Sequence, residues 1–182
     1  MTTNPDQMPL QADQATVEAL LAQEQRDRRQ RHPWTFTDLN GGWRLVFVAP
    51  KQRPGQPQAP GPWASRLFQA LGATIRFDAP DPGGIGQVRN QVQLGPLQLQ
   101  FQGPARFFPG RNVLLFDFTR LALCWGDRPL WQGFVGRGEA GEQSFTTTPA
   151  RQLPLFAFFW IGQQRLAARG KGGGLAVWEK TD

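Results

Sequence analysis

Apolar and polar residues alternate from Gln87 to Leu94 and again from Leu97 to Gln102, on either side of Gly95-Pro96. A period of two is the strand repeat, and glycine at the first central position suits a tight type II′ hairpin turn. Closing the hairpin there sets Leu94 opposite Leu97, Val92 opposite Leu99 and Asn90 opposite Phe101 on one face. Gln93 then meets Gln98, and Gln91 meets Gln100, on the other. An apolar face backed by an amide face predicts an antiparallel sheet with one wet side. A buried parallel sheet would show continuous apolar runs instead.

The rest of the chain repeats this rhythm. Strands are predicted at 42–48, 105–108, 112–118, 120–125 and 131–135, and a last pair over 156–169 and 175–180. Pro109-Gly110 and Gly126-Asp127 punctuate them, and Gly170-Lys171-Gly172-Gly173-Gly174 reads as a hairpin turn rather than a phosphate loop. Many short strands with no βαβ spacing predict a mainly β fold, an antiparallel barrel. Two stretches carry helical spacing instead. One begins near Asp13 or Thr16 and ends near Arg29, with Val17, Leu20 and Leu21 as its apolar face. The other runs from Pro62 to Gly72 after a proline-rich loop, with Trp63, Leu67, Phe68 and Leu71 on one side. It is placed to lid or plug one end of a barrel. Residues 1–13 read as a disordered tail and 14–182 as one domain.

Composition narrows the chemistry. With 14 Phe, 7 Trp and no Tyr, the aromatic surface is hydrocarbon and indole, suited to an apolar core or cavity. The single Cys124 excludes an internal disulfide framework and reads as a small core hydrophobe in a reducing compartment. The single His32 leaves no zinc set and no Ser-His-Asp arrangement, so neither catalytic residues nor a metal or cofactor is assigned. The polar start of the chain lacks the apolar segment of a signal peptide. The longest greasy run, Leu153–Ile161, falls well short of the ~20 residues that span a bilayer. A net charge of +6 favours an anionic partner. Arg26, Arg28, Arg29 and Arg31 crowd the end of the first helix, where cations complement the helix dipole. Their functional reading is peripheral contact with an anionic membrane; no nucleic acid partner is expected.

Three separated blocks carry a resemblance. Leu39-Asn40-Gly41-Gly42-Trp43-Arg44-Leu45-Val46-Phe47 resembles the opening strand of the plastid lipid-associated proteins, the fibrillins of chloroplasts and cyanobacteria. Gln87-Val88-Arg89-Asn90-Gln91-Val92 is similar to their Asn-containing second block. Arg165-Leu166-Ala167-Ala168-Arg169-Gly170 and the glycine-rich turn are similar to their closing block. The chain departs from that pattern at Gly162-Gln163-Gln164, where an acidic residue is usual. The resemblance implies a lipocalin-like barrel that binds an apolar isoprenoid or lipid, such as a carotenoid, quinone or pigment, without catalysis. It also implies a cytoplasmic protein lying peripherally on thylakoid membranes or lipid droplets. The expected ligand contacts are Asn90, Val92, Leu99, Phe101, Phe116 and Phe118, with Asp117 turned outside. Trp43 and Arg169 are expected to close one barrel end, guanidinium over indole, a contact worth ~1–2 kcal/mol when desolvated. Two alternatives stand beside this. A bilin attachment factor would use Arg44, Arg76 or Arg89 on propionates. A ligand-free interaction module would fill the barrel with its own Phe and Trp.

Overall fold

Glycine and proline break the chain into strands of four to twelve residues, each too short to bury itself alone, and closure into a barrel solves that. A computed structural model describes residues 6–30, 32–51, 58, 72–80, 84–126 and 128–181. Helix α1 (Gln14–Gln30) comes first, followed by a 3₁₀ turn (Phe36–Leu39). The strands are β1 (Gly41–Ala49), β2 (Thr74–Asp78), β3 (Gly86–Leu94), β4 (Leu97–Phe108), β5 (Val113–Phe116), β6 (Arg120–Trp125) and β7 (Arg128–Phe134). Helix α2 (Gly138–Ser144) and a second 3₁₀ turn (Ala150–Gln152) precede β8 (Leu155–Ile161), β9 (Arg165–Gly170) and β10 (Leu175–Lys180).

All pairings are antiparallel, in the order β3-β2-β1-β10-β9-β8-β5-β4, and β3 pairs with β4 to close an eight-stranded barrel. Strands β6 and β7 continue the sheet outward from β4. The mainly β barrel with an N-terminal helix is thus the observed architecture. The predicted helix Pro62–Gly72 lies, but for Gly72, outside the described residues. Three details differ from expectation. The stretch 156–169 is two strands with a turn between them. The stretch 105–108 is the continuation of the strand from Leu97. Thr74–Asp78, an unpredicted strand, turns Ile75 and Phe77 inward.

Strand alternation sorts side chains into an interior and two outer layers. Inside lie Trp43, Ile75, Phe77, Val88, Phe107, Leu114, Phe116, Phe158, Leu166 and Trp178. Register shifts at Leu45/Phe47 in β1 and at Phe158/Trp160 in β8 then flip parity. Phe47 and Trp160 consequently turn to the outer wall, where Phe159, Ala167, Leu175 and Val177 already lie, and α1 covers this layer with Val17 and Leu20. On the other flank Leu115 packs with Phe145 and Leu153, beside α2. Asp13 caps α1 by accepting the Thr16 N–H at 2.8 Å.

The segment read as a disordered tail is partly ordered. Met8 is buried in the outer layer, its carbonyl accepts from Arg165, and Trp160 Nε1 donates to Asp6 Oδ1 at 3.2 Å. The buried Met8 and these bonds, with Gln11 N–H on Thr16 Oγ1 at 3.2 Å, hold a polar segment that composition alone would leave loose. No helix among the described residues is long and apolar enough to cross a membrane.

Candidate functional site

The site is built by the length of β4. Its second half, Ala105–Phe108, pairs with β5 inside the barrel; its first half, Leu97–Gln102, pairs with β6 beyond the rim. The chain steps from β5 to β6 across Gly103. Asp117 N–H donates to Pro104 O at 3.1 Å and Thr119 N–H to Gln102 O at 3.0 Å. A Cβ at Gly103 would stand 1.9 Å from the Asp117 carbonyl oxygen, so only glycine admits this crossing. The result is a canopy: the end of β3, the start of β4, β6 and β7 projecting past the barrel mouth.

One canopy face continues the barrel lining. Along β3 and β4 the inward positions run from Val88 and Gly103 to Asn90 with Phe101, Val92 with Leu99, and Leu94 with Leu97. The register carries that face onto Leu121, Leu123 and Trp125 of β6 and Trp131 of β7. The opposite face pairs Gln100, Ala122 and Gln132, and Gln98 with Cys124. Gln100, Gln102, Gln132, Arg120 and Phe134 line a shallow hollow of about 450 Å³ there. Arg120 is held by Glu142 at 2.7 and 2.9 Å and lies 5.0 Å from the Phe134 ring centroid. Cys124 is buried, as expected, though outside the barrel core.

The six expected ligand contacts fall along one path. Asn90, Val92, Leu99 and Phe101 are half-buried at the mouth. No hydrogen bond reaches the Asn90 amide among the described residues, which leaves a polar group open on an apolar wall. Phe118 bridges inward, its ring 5.8 Å from Phe101 and 5.2 Å from Phe116. Phe116 is itself buried and stacks on Phe156 at 4.9 Å, and Phe156 meets Trp178 at 5.2 Å. Phe116 therefore belongs to the packed floor rather than to an open wall. Asp117 points outward, bonded to Arg137 at 2.7 and 3.0 Å.

The expected Trp43–Arg169 contact is absent. Trp43 faces inward, donates to Leu39 O at 2.7 Å, and carries Lys180 at 5.2 Å from its ring. Arg169 alternates with inward Leu166 and Ala168, so parity sends it to the outer wall. There it bonds Glu24 of α1 at 2.8 and 2.5 Å and Gly173 O at 2.7 Å. Lys180 was missed, although it stands directly opposite Trp43 across the β1–β10 pair. Burial pushes the Glu24 carboxyl up, but the Arg169 bond and charge, with Arg28, hold it below the usual glutamate range.

Of the helix arginines, Arg28 and Arg29 are exposed, Arg26 bonds Gln23 at 2.8 Å, and Arg31 lies outside the described residues. Arg76 and Arg89 both lie near Asp78, at 3.1 and 3.7 Å, and Arg44 lies 3.8 Å from Glu179. The glycine-rich segment is the expected hairpin turn, with Gly170 N–H on Gly174 O at 3.0 Å and Lys171 Nζ on Arg151 O at 2.6 Å. The canopy residues Leu121, Leu123, Trp125 and Trp131 were not singled out as ligand contacts. Their signal was the alternation in Arg120–Trp125, followed by the Gly126-Asp127 turn. No known family model matches the chain, and no curated protein matches its sequence.

Proposed function

We infer that the protein binds an apolar isoprenoid or lipid-like molecule, of carotenoid, quinone or pigment type, without catalysis, at the barrel mouth against the canopy. The supporting observation is the apolar face running from the barrel interior past the rim, interrupted by the open amide of Asn90. An apolar wall with one or two polar groups is the ordinary composition of a small-molecule site. On this reading the ligand sits above the interior, because Phe116, Phe156 and Trp178 form a packed aromatic floor. A fibrillin-type role on photosynthetic membranes is part of this reading and rests on the sequence resemblance. The bilin alternative has less behind it, because Arg44, Arg76 and Arg89 already face carboxylates on the outer wall.

The test is organic extraction and mass spectrometry of protein purified from a pigment-making host, followed by titration of stripped protein with a quinone. Quenching of tryptophan fluorescence is expected, since Trp125 and Trp131 stand on the canopy. Phe101→Ser should weaken binding about tenfold, the equivalent of about 1.4 kcal/mol of lost apolar contact. No extractable ligand and no quenching would leave the interaction-module reading in its place.

A further inference from the structure

Among the described residues strand β7 ends the sheet: it pairs with β6 on one side, and no strand lies on the other. Val135 N–H donates to Thr119 O at 2.8 Å, in the register that sets Gly133 opposite Leu121. Antiparallel bonding alternates, so the N–H and C=O groups of Gln132 and Phe134 point away from β6. Nothing pairs with them among the described residues. Sheet edges of this kind are normally blunted by charges. Here no charged residue lies between Pro129 and Val135, and Leu130, Trp131 and Phe134 are 59%, 51% and 49% exposed. Pro129 lacks an N–H, Leu130 is the extra residue of a bulge opposite Cys124, and Gly136 turns at φ 59°, which confines the regular pairable edge to 131–135.

We propose that this edge pairs antiparallel with β7 of a second copy, about a two-fold axis through Gln132. The edge is self-complementary in that register. Gln132 meets Gln132 of the second copy, amide to amide. Trp131 meets Gly133 of the second copy, the largest side chain against none. Beyond these pairs Phe134 runs toward the bulged Leu130 of the second copy, apolar toward apolar. The indole of Trp131 already lies across its own Gly133, where an added Cβ would stand 2.7 Å from the ring. The facing glycine leaves room for that overhang. No like charges oppose each other, and an interface in which the same patch serves both partners is the usual way two identical chains associate. The contact is one strand wide, so it forms a reversible dimer rather than an obligate one.

The test is sedimentation of the full chain over roughly a hundredfold concentration range, spanning the micromolar affinities of such small interfaces. A monomer–dimer equilibrium is expected. Gln132→Lys sets two ammonium groups on the axis, and Gln132→Pro removes the outward N–H. Each should weaken dimerisation at least tenfold while the melting temperature stays near the parent's. High salt should partly restore the Lys variant and not the Pro variant. A wild type that stays monomeric throughout overturns the proposal, as does a dimer indifferent to both substitutions. Leu99→Gln, on the canopy's apolar face, should leave the dimer intact. Its dissociation would mean that canopies stack face to face, and edge pairing would be wrong. Quinone quenching in the Gln132 variants should match the parent, which separates a failed dimer from a failed ligand site.

Discussion

Gly103 is the residue on which the site depends, because the chain crosses from the barrel wall to the canopy directly over it. Gly103→Ala drives a methyl into the Asp117 carbonyl, at 1.9 Å, and toward Thr119 N at 3.1 Å. Both obstacles are backbone, and the residues that carry them are tied to β4 by the Asp117 N–H on Pro104 O and the Thr119 N–H on Gln102 O. Overpacking against groups that cannot rotate away costs about 2–3 kcal/mol, or roughly 5–10 °C in a chain of this size. Calorimetry of the variant checks it, and an unchanged melting temperature would show that the crossing is softer than its geometry. The sequence marks this position only as a glycine before a proline, between two predicted strands. Strain of this kind depends on a segment 14 residues on, 117 against 103, so no local pattern reveals it. Trp43 and Arg169 teach the same point from the other side. Both residue types were legible, but which of them meet is set by strand parity, and parity places Lys180 on the indole.

At the level of elements, the hairpin Gln87–Gln102 was fully legible, register included, because turn chemistry and alternation agreed. The union of 97–102 with 105–108 was not, since Gly103-Pro104 reads locally as a break. The docking of α1 was half legible: Val17 and Leu20 announce an apolar face, but that face also carries two carboxylates. Glu24 and Asp27 are both buried, and among the described residues only Glu24 meets arginines. Burial, then the neighbouring Glu24 charge, raises the Asp27 carboxyl, with His32 at 3.9 Å opposing. A raised carboxyl costs stability once ionised, and the cost is relieved as pH falls through its raised value. Asp27→Asn should therefore stabilise at neutral pH by about 1 kcal/mol, since Asp27 Oδ1 has no hydrogen-bond partner among the described residues. The gain should fade as the pH drops into the carboxylic range. Glu24→Gln should do the opposite: Glu24 is held below its usual range, so its stabilisation is present above that range and lost as pH falls through the lowered value. Melting curves of both variants from neutral pH downward check the two signs together. Parallel curves for parent and variants would deny that these carboxylates couple α1 to the barrel.

For the whole molecule, closure was legible from the number of strands and the absence of βαβ spacing. The canopy was not, because two extra strands on an eight-stranded ring carry no signal in composition. The net charge of +6 would supply the attraction to a membrane, and Arg28 and Arg29 supply its most exposed point on α1. Each such residue contributes ~1 kcal/mol near an anionic surface, within a screening length of about 8 Å at physiological salt. Arg28 already shares its charge with Glu24 at 3.1 Å, which lowers what it can offer. The segment Leu153–Ile161 offers no competing anchor, since Leu153, Phe158, Phe159 and Ile161 are buried in the barrel and its outer layers. Binding to anionic vesicles is therefore expected to be weak, reversible and lost at high salt. Replacing Arg26, Arg28, Arg29 and Arg31 by Gln should abolish it in a flotation assay. Attachment that survives salt would assign the contact to the apolar tip instead, where Leu94 and Trp125 stand 49% and 54% exposed on adjacent turns joined by the Gly126 N–H to Pro96 O bond of 2.8 Å. Vesicles that never carry the protein, at any salt, would reduce the basic helix end to a solvated terminus whose arginines serve α1 alone.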